Sequence, residues 1–182
     1  VTTHLAFLRG VNLGPTRRIK MADLRVVISG AGFAEVRTYL QSGNVVVSSS
    51  LSPAAVATTM RDAISAGCGL STDVIVRSAA QLRKALDADP LSDVATDPAR
   101  HVLGLMADRA SADAVQKLSD RIDTLPSDGD RYAFGDKHFY LWCPNGISKS
   151  PFFKVNWDKL GVSSTQRNWN TVTAMLDLAA DT

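Results

Sequence analysis

The chain has 182 residues, of which 45% are hydrophobic and 21% charged, with a formal net charge of +2. Those proportions belong to a globular protein with enough chain for one ample core or two small lobes, and the charge is too small for strong non-specific binding to nucleic acid. No apolar run reaches membrane-spanning length, and the opening VTTHLAFLRG lacks the basic region and cleavage site of a signal peptide, so a cytoplasmic protein with no membrane partner is expected.

In chain order, residues 4–9 read as a mostly buried strand, followed by a loop, Gly10 to Lys20, with two glycines and a proline. Met21, Leu24, Val27, Ile28 and Ala31 recur at helical spacing, and the helix ends at Gly30 or Gly32. Strands follow at 36–40 and 45–49. Val36, Thr38 and Leu40 alternate onto one face, and Ser42-Gly43 makes the turn, since glycine accepts a positive φ without a Cβ clash. Ser52 and Pro53 mark a helix start, as N-cap and first helical residue. Val56, Met60 and Ile64 form its buried stripe, and Gly67 is expected to stop it. Residues 73–77 are a fourth strand.

The order βαββαβ is the ferredoxin-like split unit. A right-handed crossover makes its first two strands parallel. The first strand then ends at the sheet edge where the hairpin turns. The Gly10–Lys20 loop and the Gln41–Asn44 turn are therefore expected to be neighbours in space.

The second half roughly repeats the first. Ser78 caps a helix with Leu82, Ala85 and Leu86 inward, and Asp89-Pro90 ends it. A polar loop leads to a strand at 101–107 and a helix from Ser111 with Val115, Leu118 and Ile122 inward. A hairpin follows, 131–134 and 138–143, turning at Gly135-Asp136. Phe153, Trp157 and Leu160 fall on one helical face. Ser163 to Asn170 reads as the N-cap region of a last helix bearing Trp169, Val172, Leu176 and Ala179. The expectation is an α+β protein of two ferredoxin-like βαββα lobes, the first complete and the second with a helix in place of its last strand. The lobes would span 1–80 and 81–182, as two domains or one two-lobed domain. The first carries eight Lys/Arg against four Asp/Glu, and the second twelve against fourteen.

Four places could carry chemistry. The Gly10–Gly14 loop, with Arg9 before it and Arg17, Arg18 and Lys20 within it, could cradle a phosphate or carboxylate on backbone N–H groups. It lacks the spacing of a Walker loop or a dinucleotide fingerprint. A surface loop whose glycines permit its turns and whose arginines are solvated is the simpler account of this loop taken alone. Gln41 and Asn44 flank the turn with two carboxamides, which both donate and accept; they could read a ligand's polar edge or bond the local backbone. Ser42 lacks the setting of a nucleophile elbow. Arg167 and Asn168 stand at the expected helix start, where the dipole disfavours a cation. Lys149, in the polar loop 145–151, is another anion-binding or solvated lysine. His4, His101 and His138 fall in or beside strands, with no spacing of a catalytic or metal cluster. Cys68 and Cys143 fit reduced thiols. No metal or cofactor is implied, and no reaction is legible.

Together, Arg9-Gly-Val-Asn-Leu-Gly14, Lys20-Met-Ala-Asp-Leu-Arg25, Gly32-Phe33, Val36-Arg-Thr-Tyr-Leu-Gln-Ser-Gly-Asn-Val-Val46, Ser148-Lys149 and Arg167-Asn-Trp-Asn-Thr-Val172 resemble the bacterial "domain of unknown function 1697" family, over nearly the whole chain. The resemblance implies an α+β fold of ferredoxin-like units in a soluble bacterial protein, with no activity to carry over. A core alone would not select polar Arg9, Asn12, Gln41, Asn44, Arg167 and Asn168. A shared site and a polar network joining the lobes both account for them. In the first reading a small anionic ligand is neutralised by Arg9 and Arg167. It would be held by N–H groups from Gly10 to Gly14, read by Gln41, Ser42, Gly43 and Asn44, and packed against Tyr39. An RNA-binding module of the same fold is a second reading, weakened by central strands whose one aromatic is Phe7. A scaffold without ligand is a third, and oligomeric state is left open.

Overall fold

The computed structural model describes residues 1–181. The chain divides into two compact units. The first comprises Val1–Lys84 and the chain from Thr173 on; the second comprises Ala85–Val172.

The first unit holds β1 (Thr2–Leu8), α1 (Met21–Gly30), β2 (Ala34–Tyr39), β3 (Asn44–Ser49), α2 (Pro53–Cys68) and β4 (Val74–Ser78). Its sheet runs in the order β2-β3-β1-β4, with every neighbouring pair antiparallel. β1 and β2 both oppose β3 and so run parallel to each other, as the crossover rule requires. Ala6 and Leu8 of β1 join Val45 and Val47 of β3 in a core with Leu24 and Ile28 of α1 and Val56, Met60 and Ile64 of α2. The opposite face of the sheet is buried too: Leu5, Phe7 and Val46 are fully inaccessible. A strand buried on both faces reads as a continuous apolar run, which explains Leu5 to Leu8.

Local chemistry sets the helix ends. Ser52 Oγ accepts from Ala55 N at 3.3 Å, with Pro53 in the first turn, where its missing N–H costs nothing. Gly67 does not stop α2. A Cβ there would lie 2.6 Å from Val27 Cγ2, so Gly67 lets α1 and α2 approach closely. The stop comes at Gly69, with φ 62°. α3 (Ala79–Asp87) begins with a reciprocal capping box: Gln81 N donates to Ser78 Oγ at 3.2 Å, and Ser78 N donates to Gln81 Oε1 at 3.0 Å.

The second unit holds β5 (His101–Met106), α4 (Ala112–Asp123), β6 (Arg131–Phe134), β7 (His138–Trp142) and β8 (Ser164–Asn168). The sheet order is β6-β7-β5-β8, again antiparallel throughout. The expected loss of the fourth strand is thus corrected. Residues 164–168 pair with β5, and α5 (Trp169–Ala180) begins only after them. What the second unit lacks is the second crossover helix. Three short 3-10 segments, Ile147–Lys149, Pro151–Lys154 and Asp158–Leu160, replace it. The helical face expected from Phe153, Trp157 and Leu160 does not form, and Phe153 is 49% exposed.

An aromatic group fills the place of that helix. Trp157 stacks on Phe139 at 4.2 Å and 10°, with Phe134 against both and Tyr132 edge-on to Phe152. Gly104 of β5 stands opposite Phe139, and a Cβ there would lie 2.0 Å from the ring. Glycine at this point gives the ring room to lie over the strand.

Candidate functional site

The expected neighbourhood of loop and turn is present in the first unit. Phe7 stands opposite Asn44, and Leu8 N donates to Gly43 O at 2.8 Å, so β1 ends where the hairpin turns. The side chain of Asn12 spans the two segments. Its Nδ2 donates to Gln41 O at 2.6 Å and to Ile19 O at 3.0 Å, and its Oδ1 accepts from Ile19 N at 2.9 Å. One carboxamide thereby closes the loop on itself and ties it to the turn.

The turn is built in the same way. Asn44 is fully buried, and its Nδ2 donates to Tyr39 O and Ser42 Oγ, both at 3.0 Å. Gly43 has φ 75°, and a Cβ on it would meet Leu8 Cβ at 2.6 Å and Val11 Cγ2 at 2.7 Å. Leu40 does not continue the strand face. It enters the turn with φ 56° and is 55% exposed. With Gly10 at 63° and Asn12 at 56°, four residues of these two segments hold left-handed backbone. Such backbone costs about 1–2 kcal/mol for a residue with a Cβ.

The cations divide by task. Arg17 is spent on the protein: Nε donates to Gly10 O at 2.8 Å and an Nη to Ser71 O at 2.9 Å, fixing the loop to the chain before β4. Arg9 lies 3.6 Å from the Asp73 carboxylate, and its carbonyl accepts from Thr72 Oγ1 at 2.7 Å. Arg18 and Lys20 are exposed, on a segment anchored by buried Val11 and Ile19. Lys20 is the N-cap of α1, its backbone is extended, and its side chain makes no cap hydrogen bond. Gln41 keeps its side chain exposed while its carbonyl serves Asn12. Gly14 makes no close approach that would require glycine.

The remaining candidates lie in the second unit. Arg167 sits on β8, not at a helix start, and donates to Thr165 Oγ1 and Gln166 O, each at 2.8 Å. Burial lowers its pKa to about 10, so it stays a cation at neutral pH. Asn168 caps α5, its Oδ1 accepting from Thr171 N at 3.0 Å and Thr171 Oγ1 at 2.8 Å. Lys149 is exposed at the end of a 3-10 segment.

Two buried polar groups were not foreseeable from spacing. His101 stacks on Trp169 at 3.9 Å and lies 3.4 Å from the Asp89 carboxylate. Burial lowers the His101 pKa more than Asp89 raises it, so the ring is neutral near pH 7. Tyr140 OH donates to Ala85 O at 2.6 Å and lies 2.9 Å from His138 Nε2. A hydroxyl has one proton to give, so His138 Nε2 carries the hydrogen of that contact. Burial pushes the Tyr140 phenol up to about 12 and the Cys143 thiol up to about 11, and neither ionises at neutral pH. Among the described residues no group of three or more His, Cys, Asp or Glu side chains could hold a metal ion. Nor does any helix among them have the length and apolar character to cross a membrane.

Two four-stranded antiparallel sheets in ferredoxin-like order define an α+β protein of paired ferredoxin-like units. The sequence model described as "Protein of unknown function (DUF1697)" matches residues 1–140, and the chain belongs to that family. Among solved structures it is similar to the conserved bacterial protein SP0830 from Streptococcus pneumoniae, at 18% identity over 98% of both chains, with a TM-score of 0.77. That likeness is one of fold. No curated protein matches the chain.

Proposed function

We propose that the first unit binds a small phosphate- or carboxylate-bearing ligand at the rim formed by the Gly10–Lys20 loop and the 40–44 turn. The observation that carries this reading is the Asn12 clasp. Two of the side chain's hydrogen bonds close the cation-rich loop on itself at Ile19, and a third holds it against the turn 29 residues away. Backbone with left-handed residues gathered in one place is a common mark of a ligand site, because the strain persists only where packing over-determines it. Arg18 and Lys20 supply the charge, Arg9 adds to it beside Asp73, and Gln41 offers a carboxamide to the ligand's polar edge. Asn12, Asn44 and Arg17 hold the frame, since their polar groups are already committed to protein atoms.

Stacking of RNA bases is poorly served by this sheet. Phe7 is fully buried, and both faces of β1 are covered.

The test is a titration with inorganic phosphate, citrate and nucleoside monophosphates at low salt, read by thermal shift and calorimetry. Saturable binding that weakens tenfold or more in Arg18→Ala/Lys20→Ala, with the melting temperature of the free protein unchanged, supports the site. No saturable binding by any of these anions removes it.

A further inference from the structure

We infer that the same rim seats on the interfacial region of an anionic lipid bilayer, with Leu13 and Leu40 entering it and the cations meeting the headgroups. The inference rests on the anion-binding reading above and names the source of the anion as a lipid headgroup. Leu13 is 82% exposed and Leu40 is 55% exposed. They are the immediate neighbours of Asn12 and Gln41, which are joined by a 2.6 Å hydrogen bond, so the two leucines share one edge of the unit. Leu40 is the more telling of the two. It occupies a left-handed position, φ 56°, that glycine or asparagine would fill with less strain, and it also leaves an apolar side chain in water.

Charge complementarity selects the bilayer. Arg18 and Lys20 lie exposed in the loop that carries Leu13, and Arg9 precedes that loop, beside Asp73. Apolar tips on the same loop as exposed cations, and on the turn joined to it, match the layering of a bilayer surface, with anionic headgroups outside and acyl chains beneath. A soluble ligand's tail lying across side chains this exposed would keep its other side in water. A bilayer would enclose the leucines wholly. Seating of this kind requires no spanning helix.

The experiment is flotation of the full chain with vesicles of phosphatidylglycerol and phosphatidylcholine, beside vesicles of phosphatidylcholine alone. The expected result is binding to the anionic vesicles that falls at least tenfold on pure phosphatidylcholine and with added salt. Leu13→Ser/Leu40→Asn is expected to weaken it about tenfold or more. Leu40→Asn alone keeps or raises the melting temperature, so lost binding is not lost folding. Binding to anionic vesicles that ignores the leucine replacements overturns the inference, as does no vesicle binding. If inorganic phosphate saturates the rim while vesicles do not bind, the membrane seat falls and the anion site stands. If neither binds, both fall. A dimer that forms with rising concentration and is lost in Leu13→Ser would instead assign the leucines to a second copy of the chain and overturn the bilayer.

Discussion

The two units solve the same topological problem with different material. Both place their strands in the order of a ferredoxin-like sheet, and both pack one helix, α1 or α4, as the first crossover. The first unit makes its second crossover with the 16-residue α2, whose Val56, Met60 and Ile64 are buried in a core with Phe33 as its one aromatic among the buried residues. The second makes it with 3-10 turns and a stack of rings over Gly104. Strand pairing fixes the fold, and what covers the sheet can be a regular helix or an irregular aromatic plug. The loops differ accordingly. In the first unit the polar motif residues are concentrated at one rim and clasped by Asn12. In the second, Arg167 and Asn168 serve a strand and the start of a helix.

The comparison can be broken most forcefully in the second unit. Gly104→Ala puts a Cβ 2.0 Å from the Phe139 ring, which is pinned by Trp157. A loss of about 3 kcal/mol is expected in urea unfolding, since the stack cannot yield without moving Trp157. The matching lesion in the first unit, Gly43→Ala, combines a φ of 75° with a 2.6 Å approach to Leu8. It should cost about 2–3 kcal/mol by the same measurement. Asn12→Ala removes the clasp and leaves Ile19 N without its side-chain acceptor. About 1–3 kcal/mol is expected, with faster amide exchange in the loop and the turn together.

Each unit also carries a buried histidine at the start of its first strand, His4 in β1 and His101 in β5. Burial lowers both pKa values from the ordinary 6.5; backbone groups of Leu51 and Ser49 partly offset this for His4, as Asp89 does for His101. The unfolded chain therefore takes up protons that the folded chain refuses. Between about pH 7 and 8 the histidine contribution should be level, and stability should fall as pH drops below about 6.5, by at most about 1.4 kcal/mol per pH unit for each histidine. Thermal melts between pH 7.5 and 5.5 check this, and His101→Gln should flatten the slope if the second unit melts first. The smallest effect is Leu40→Asn, expected to raise stability by about 0.5–1 kcal/mol by relieving left-handed leucine.

What could be read in advance follows from where the determinants are local. Ser52-Pro53 and the Ser78/Gln81 box are complete in sequence, and the helices begin where those residues say. The meeting of loop and turn was legible as well, because handedness and strand order imply it. β8 was not legible. Ser164 to Asn168 has the composition of a cap, and only pairing with β5 makes it a strand, a contact roughly sixty residues away in sequence. Gly67 looked like a helix stop because glycine is a poor helix former; its reason is Val27 on another helix. The candidate site divides in the same way. That Asn12 and Asn44 matter could be seen in the motif, but not that their amides are spent on the carbonyls of Gln41, Ile19 and Tyr39. The partners of a side chain are set by the folded backbone, which the motif does not contain.

The central claim is that the asparagines frame the rim and the free cations work on it. Amide-detected NMR titration with glycerol phosphate tests this most directly. The account predicts saturable shifts confined to residues 9–20 and 40–44, abolished in Arg18→Ala/Lys20→Ala while the rest of the spectrum is unchanged. Shifts spread over both units, or a response that survives loss of both cations, would contradict it.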